Sequence, residues 1–232
     1  MKKNKNPQIA VIGLGAFGMA LVKTLAKEGG EVIAVDNNMN HLDEVKDLTK
    51  HTICFDATDP VQLKSHGITD VDIAVISIGE HFEPVVLIAM ELINAGVKVY
   101  GRANSKTQEL ILKNIGVAKI IHPERQVAER MGVTLHHPGM EDLLELGDGL
   151  SIFELDVPEK MVGYSLKELQ LRRRYGINIL TIKRMHNDEK SQNASPKYMS
   201  KGVPSGETTL EQNDKLIVFG DKDNCEKMME LN

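Results

Sequence analysis

The chain has 232 residues, of which 41% are apolar and 26% are charged, and its formal net charge is −5. It contains no apolar run of about 18 residues, so the sequence predicts no direct membrane insertion, and the weakly acidic charge of both halves argues against nucleic acid as a partner. Cys54 and Cys225 stand alone, which indicates neither a disulfide framework nor a zinc site, and we expect a cytoplasmic protein.

The first half of the chain alternates short apolar runs with helical patterns. Six runs are predicted to be strands: QIAVIGLG, EVIAVD, HTICFDAT, DIAVISIG, VKVYGRAN and AKIIHPE. They are continuous in Val, Ile and Ala, as expected for parallel strands that helices cover on both faces. The sequence therefore predicts an α/β fold whose N-terminal part is a doubly wound parallel Rossmann sheet.

The alternation stops near Pro123, where ERQVAERMGVTLHH predicts a helix that ends before Pro138. Three apolar residues recur on it at four-residue spacing, Val127, Met131 and Leu135, and this stripe requires a partner surface. That surface lies either on its own domain or on a second subunit. We predict a crossover helix, with a Rossmann domain over 1–140 and a smaller α+β subdomain over 141–232.

The smaller subdomain is predicted from three strand patterns, LSIFELDV, INILTIKR and DKLIVFG. A helix with a Ser cap is expected at Ser165–Leu171, and a final helix at Asp221–Met229. The intervening segment 186–209 is polar and rich in Gly and Pro. It predicts a mobile surface loop with at most one or two short edge strands.

The sequence Gly13-Leu14-Gly15-Ala16-Phe17-Gly18 lies between a predicted strand and a predicted helix. In this setting the three glycines differ in their roles, since Gly13 allows the tight turn, Gly15 lets phosphates approach the backbone, and Gly18 lets the helix pack on the strand. The helix beyond the loop offers free N–H groups and a positive dipole end to an anion. We predict that an adenine nucleotide binds here with its phosphates at the loop.

Asp36 ends the second strand, where a carboxylate can accept hydrogen bonds from the ribose hydroxyls. No Arg or Lys follows among Asn37, Asn38, Met39 and Asn40 to neutralise a 2′-phosphate, which argues against NADP. The alternative interpretation is that Asp36 only begins the turn to the next helix.

The ends of the next three strands are expected to line the same crevice, because ligands of open α/β sheets bind beyond the carboxyl ends of the strands. The residues at these ends are Asp56, Ala57, Thr58, Ile78, Gly79 and Arg102. Asp56 is predicted to accept from the adenine amino group. Arg102 is the candidate cation for the phosphates, or else one half of a surface ion pair.

The C-terminal half contains no recognisable set of catalytic residues. His136, His137 and His186 lie in a predicted linker and loop, where histidine is more often a solvated side chain than a catalyst. A hydride-transfer enzyme needs a positioned acid or base, so we predict that the chain is not an enzyme. Two alternatives stay open, an NAD-dependent oxidoreductase and a nucleotide sensor with a different partner.

Several motifs together resemble the RCK family, and in particular the Ktr/Trk-type regulatory subunits of bacterial potassium-uptake systems. They are IAVIGLGAFG, VDNN, FDATD, ISIG, GRAN, IIHPERQVAERM, LRRRYGINILTIKR and NDKLIVFG. The resemblance implies TrkA-N and TrkA-C domains, dimers that assemble into an octameric ring, and a membrane potassium-translocating subunit as partner. It implies ATP or ADP as ligand, with AMP, NAD and NADH as alternatives, and different ring shapes for different nucleotides.

The resemblance also implies three further features. Glu124 matches an acidic position at which a divalent or sodium ion binds; the alternative is a carboxylate that faces the helix dipole. Relatives usually carry GLGRFG, in which the Arg reaches the γ-phosphate of the nucleotide in a neighbouring subunit; here the position is Ala16, which cannot make this contact. Arg172 and Asn178 resemble contacts to cyclic di-AMP, although Arg173 replaces a small residue there.

Overall fold

The computed structural model describes residues 6–186 and 197–230, and these divide into two compact units between Gln126 and Val127. This division falls inside one helix, whereas the predicted domain boundary after residue 140 leaves that helix whole; the boundary at 140 stays a prediction. Residues 187–196 of the predicted loop lie outside the described residues.

The N-terminal unit alternates strands and helices, as predicted. Its elements are β1 (Gln8–Ile12), α1 (Ala16–Lys27), β2 (Glu31–Asp36), α2 (Met39–Asp43), β3 (His51–Cys54), α3 (Pro60–Ser65), β4 (Ile73–Ile76), α4 (Phe82–Asn94), β5 (Lys98–Arg102), α5 (Lys106–Asn114), β6 (Lys119–Ile121) and the start of α6 (Pro123–His136).

All six strands pair in parallel in the order β3-β2-β1-β4-β5-β6, which confirms the doubly wound sheet. Buried aliphatic side chains cover both faces of the sheet, in two separate clusters. The strand order reverses between β1 and β4. Connections leave in opposite directions at such a point and open a crevice at the carboxyl ends of the strands.

The C-terminal unit contains a second sheet, which is antiparallel. Its elements are the remainder of α6, β7 (Met140–Gly147), β8 (Leu150–Asp156), α7 (Leu166–Leu169), α8 (Leu171–Tyr175), β9 (Asn178–His186), β10 (Lys197–Ser200), β11 (Lys215–Asp221) and α9 (Lys222–Met229). The strand order is β10-β9-β11-β8-β7. Strand β10 is the short edge strand for which the sequence left room.

Two features of this unit differ from the sequence-based expectation. Strand β7 was not predicted; it is an edge strand whose apolar Leu144 and Leu146 are exposed, so it lacks the buried alternation that marks a strand. The helix expected over Ser165–Leu171 is two short helices, because Gln170 adopts a left-handed conformation at φ 47°. The Ser165 cap is present, and it forms a reciprocal capping box with Glu168.

Helix α6 has no buried residue within the described chain. The stripe residues Val127, Met131 and Leu135 are 59%, 58% and 75% exposed. The stripe is therefore not covered by its own domain. A second subunit is the other partner that the sequence allowed, and it stays a proposal.

A partly buried ion cluster crosses the second sheet. The carboxylate of Glu154 on β8 accepts hydrogen bonds from Lys183 Nζ at 2.6 Å and from Lys215 Nζ at 2.8 Å. Burial by itself would raise the pKa of Glu154, but the hydrogen bonds and charges of the two lysines outweigh it and hold this pKa below the ordinary value of 4.5. The cluster therefore favours the ionised carboxylate in the folded state.

We expect Glu154→Gln to reduce the acid sensitivity of the protein. A carboxyl group whose pKa is lowered by folding stabilises the fold above its unfolded pKa, and this contribution is lost as the pH falls through the lowered pKa. Urea denaturation between pH 7 and pH 3 should give a variant that is less stable at neutral pH by about 1–3 kcal/mol and loses less stability on acidification. The exposed Glu159→Gln is the control; an unchanged pH slope in the Glu154 variant would contradict the assignment.

Candidate functional site

A cavity of about 790 Å³ opens at the carboxyl ends of strands β1 to β5. Eleven of the thirteen residues predicted to bind the nucleotide line it: Gly13, Gly15, Ala16, Asp36, Asn37, Asp56, Ala57, Thr58, Ile78, Gly79 and Arg102. Phe17 and Gly18 are not among its lining residues. The structure thus brings most of the predicted set around one cavity, whose volume is in the range of small-molecule sites.

The loop between β1 and α1 is fixed by close backbone packing. Gly13 has φ +90°, and a Cβ atom there would lie 2.8 Å from Ile78 Cγ1. A Cβ atom on Gly18 would lie 2.6 Å from Ser77 Oγ and closer still to the Gly13 carbonyl oxygen, whereas one on Gly15 would meet nothing within 4 Å. Gly13 and Gly18 therefore serve the packing of the loop, and Gly15 leaves space in the cavity.

The carbonyl groups of this loop are held by Ser77, which follows β4. Its hydroxyl donates to the Gly13 carbonyl oxygen at 2.5 Å, with the Ile12 carbonyl oxygen at 3.0 Å. The Gly13 amide donates to the Val35 carbonyl oxygen at 2.8 Å. The loop is thus anchored to both neighbouring strands before any ligand binds.

The first turn of α1 faces the cavity without a capping side chain. Its N-cap is Gly15, which has no side chain that could cap the helix, and the turn contains no acidic residue. The N–H groups of this turn and the positive end of the helix dipole are therefore available to an anion in the cavity. Ala16, the first residue of the helix, adds no charge to this end.

Asp36 is 8% exposed, and its carboxylate is already bonded to the protein. Oδ2 accepts from the Leu14 amide at 2.5 Å, and Oδ1 accepts from the Asn38 amide at 2.8 Å. His41 Nδ1 lies 3.2 Å from Oδ1. Asp36 therefore joins the glycine loop to the turn before α2, in addition to lining the cavity.

Asp56 shapes the turn after β3. Its Oδ1 accepts from the Thr58 amide at 3.0 Å and from the Thr58 hydroxyl at 2.8 Å. This Asx-type turn fixes the carboxylate at the cavity edge. The predicted neighbours Ala57 and Asn37 line the same side, and Ala57 is buried whereas Asn37 is exposed.

Arg102 and Glu124, predicted separately as a phosphate cation and a metal ligand, form an ion pair between Nη2 and Oε1. The Arg102 side chain is 17% exposed and that of Glu124 is 62% exposed. Arg102 also lines a second cavity, of about 560 Å³, together with Glu124, Asn104 and His122. Arg102 thus forms the ion pair that the sequence offered as the alternative, and it also lines the large cavity; its contact with phosphates stays a prediction.

The sequence analysis considered the residues at the carboxyl ends of the strands, and it missed the residues that the helices bring to the cavity. His41 comes from α2, Glu83 and Leu87 come from the first turns of α4, and His81 is the residue that precedes α4. The signal that could have found His41 is its place in the first turn of the helix that follows β2, close in sequence to Asp36.

In the C-terminal unit, Arg172 is exposed on α8, and Asn178 is the half-buried first residue of β9. A cavity of about 400 Å³ in this unit is lined by Lys160, Tyr164 and Arg174 among others, and by neither Arg172 nor Asn178. Cyclic di-AMP binding at these two residues stays a prediction.

The described residues offer neither a metal cluster nor a membrane-spanning helix. Residues 6–186 and 197–230 contain no group of three or more His, Cys, Asp or Glu side chains arranged to hold a metal ion. Among the helices of these same ranges, none combines the length and the hydropathy that crossing a bilayer requires.

Known proteins match both units. The TrkA-N domain family matches residues 9–123, and the TrkA-C domain family matches residues 150–232. The Ktr system potassium uptake protein C of Bacillus subtilis is 35% identical over 178 residues, which are 76% of this chain and 80% of that protein. The chain belongs to the Ktr/Trk family of RCK proteins, built from TrkA-N and TrkA-C domains.

Other relatives cover almost the whole of this RCK protein. The Ktr system potassium uptake protein A of Vibrio alginolyticus is 32% identical over 95% of this chain and 96% of its own length. Among solved structures, the GsuK RCK domain superposes with a TM-score of 0.63 at 14% identity, over 100% of this chain and 48% of that chain. The GsuK channel bound to NAD gives the same TM-score at 15% identity, over 100% of this chain and 40% of that one. These structures share the fold, and this chain spans about half their length or less.

Proposed function

We propose that this RCK protein is a cytosolic, nucleotide-binding regulatory subunit that gates a membrane potassium-translocating partner. The observation that carries the proposal is the 790 Å³ cavity at the glycine loop, in a chain whose full-length relatives are named potassium uptake proteins. The position at the cytoplasmic face of the membrane follows from such a partner. The chain itself contributes the binding site and, in this proposal, has no catalytic activity.

In the proposed complex the phosphates lie at the first turn of α1, where uncapped amides and the helix dipole attract an anion. The ribose lies at Asp36, and the adenine lies beside Asp56, Ala57 and Thr58. The proposed ligand is ATP or ADP, and AMP, NAD and NADH remain alternatives. The GsuK structure with NAD supports a nucleotide in a fold of this kind.

Regulation follows if two nucleotides stabilise different conformations. A ligand shifts an equilibrium only by its differential affinity for the two states. The differential contacts are proposed at the phosphate end of the cavity, where ligands such as ADP and ATP differ. Dimers that assemble into an octameric ring would then transmit the change to the partner. The uncovered stripe of α6 is available for such self-association.

The residues around Glu124 do not form a cation site on their own. Its carboxylate is paired with Arg102, and a hard cation such as Ca²⁺ requires six or more oxygen ligands. A divalent or sodium ion at this position would need carboxylates from a second subunit, and we keep it as a proposal on that condition. Cyclic di-AMP at Arg172 and Asn178 is likewise proposed only as a ligand between two subunits.

The test is a titration of the purified chain with ATP, ADP, AMP and NADH, combined with an assay for NADH consumption. We expect tight binding of at least one nucleotide and no turnover. Steady NADH oxidation with a small-molecule substrate would instead favour the NAD-dependent oxidoreductase. Recovery of a soluble enzyme as the native partner would favour a nucleotide sensor with a different role.

Restoring an arginine at the first position of α1 is expected to change nucleotide preference. Ala16 lines the cavity and has no charge, whereas a guanidinium there would bind a terminal phosphate in a bidentate, charge-assisted contact. Calorimetry should show that Ala16→Arg raises the ratio of ATP to ADP affinity by about tenfold. Ala16→Gln, a long neutral side chain, is the control. An unchanged ratio would contradict this account of the position.

A further inference from the structure

Arg102 lies between the two cavities of the N-terminal unit. It lines the large cavity together with the glycine loop, and it lines the second cavity together with the first residues of α5 and α6. Among the residues that line these two cavities, Arg102 is the one that they share. A change in its contacts on one side therefore bears directly on the other.

The guanidinium rests on the backbone of Gly79. A Cβ atom at Gly79 would lie 2.6 Å from Arg102 Cζ, so any larger residue would displace the side chain. Asn104 Nδ2 holds the same peptide by donating to the Gly79 carbonyl oxygen at 3.0 Å. The preceding residue, Ile78, packs on Gly13. Arg102 is thus seated one residue away from the contact that shapes the phosphate loop.

The hydrogen-bonding capacity of Arg102 is only partly used. Nη2 is paired with Glu124, whereas Nε is buried and has no hydrogen-bond partner among the described residues. A guanidinium carries five N–H donors, and a buried donor without a partner is costly. Because Glu124 is 62% exposed, its carboxylate can exchange Arg102 for water at small cost. An anion that enters the large cavity could therefore replace it.

Glu124 belongs to the first turn of α6. This turn is tied to β5 by the Arg102 pair, and its first helical hydrogen bond runs from the Gln126 amide to the carbonyl oxygen of His122, between β6 and α6, at 3.0 Å. Helix α6 continues beyond Gln126 into the second unit. The ion pair thus holds the start of the segment that joins the two units.

Building on the proposed nucleotide function, we propose that Arg102 distinguishes nucleoside di- and triphosphates from monophosphates by exchanging Glu124 for a phosphate. A nucleotide with one phosphate places it at α1 and leaves the Arg102–Glu124 pair closed. A second or third phosphate binds the Arg102 guanidinium and displaces the Glu124 carboxylate from it. The start of α6 then loses its link to β5, so phosphate number is converted into a change at the connecting helix.

The first test compares the affinities of AMP and ADP in calorimetry, with the full chain and its variants. Arg102→Gln should lower the affinity for ADP at least about tenfold, because a charge-assisted contact is lost, and should leave the affinity for AMP unchanged. Glu124→Gln should raise the affinity for ADP, because the competing carboxylate is gone, and should leave the affinity for AMP unchanged. Lys106→Gln removes a charge from the second cavity alone, and Glu129→Gln makes the acidic change elsewhere on α6. Neither control should alter the ratio of ADP to AMP affinity.

The second test is hydrogen exchange at the start of α6, which is independent of affinity. ADP should speed exchange of the Gln126 amide in the unmodified chain, and AMP should not. In Glu124→Gln this amide should exchange fast without any nucleotide.

If Arg102→Gln lowers the affinities for AMP and ADP equally, this proposal is overturned, although the proposed nucleotide-binding function still stands. The same holds if Lys106→Gln changes the ratio of ADP to AMP affinity as Arg102→Gln is expected to do. Unchanged ADP affinity in Glu124→Gln would also overturn it. If the unmodified chain binds neither nucleotide, the proposed function fails together with this inference.

Discussion

Gly18→Val is expected to abolish nucleotide binding and to lower the free energy of unfolding of the N-terminal unit by about 2–3 kcal/mol. Even a single Cβ atom at Gly18 would lie 2.6 Å from Ser77 Oγ and closer still to the Gly13 carbonyl oxygen. One of these atoms belongs to the backbone, so α1 must move away from β1 and carry the amides of its first turn with it. Calorimetric titration and thermal denaturation measure the two effects.

Gly15→Ala is the matched control for this prediction. A Cβ atom there meets nothing within 4 Å, and the φ of −62° suits alanine. Stability should therefore stay the same, while the added methyl group occupies the cavity and weakens nucleotide binding. A Gly18→Val protein that binds and unfolds like the unmodified one would show that the loop does not depend on this close approach.

Asp36→Ala is expected to reduce both stability and nucleotide affinity. Its carboxylate accepts from the buried amide of Leu14 and from the amide of Asn38, which belongs to an exposed residue. Water can replace the acceptor at Asn38 but not at Leu14, so we expect a destabilisation of about 1–3 kcal/mol. Nucleotide affinity should fall at least about tenfold, since the proposed ribose contact is lost and the loop is loosened.

Asp36→Asn separates the two effects. Its single side-chain oxygen can satisfy one of the two amides, so we expect about half the loss of stability and most of the loss of affinity. Chemical denaturation and calorimetry on the same samples provide the comparison. Full stability in Asp36→Ala would contradict the role of this carboxylate in the loop, and full affinity would place the ribose elsewhere.

The parallel sheet could be predicted from the sequence because its strands are buried on both faces and are therefore continuous apolar runs. The rule that ligands of open α/β sheets bind beyond the carboxyl ends of the strands then located the cavity residues from Gly13 to Arg102. Both steps depend on local patterns. They need no knowledge of contacts between residues that are far apart in the chain.

Long-range pairing and exposed strands could not be predicted in this way. Asp36 was expected to be a ribose acceptor, and its bond to the Leu14 amide follows only from the fold. Arg102 and Glu124 were assigned different roles, although the sheet brings them into one ion pair. Strand β7 has no buried alternation to mark it, and the left-handed Gln170 is a conformation that favours glycine.

The central claim, that a nucleotide in the glycine-loop cavity controls potassium movement through a membrane partner, is tested most directly by flux. The chain is reconstituted in liposomes with the membrane potassium-translocating subunit of its own organism, and potassium uptake is measured with no nucleotide, AMP, ADP and ATP. We predict that uptake depends on which nucleotide is present, and that Gly18→Val abolishes this dependence while Gly15→Ala only weakens it. Uptake that is the same under all four conditions, or that responds equally in the Gly18→Val protein, would contradict the account.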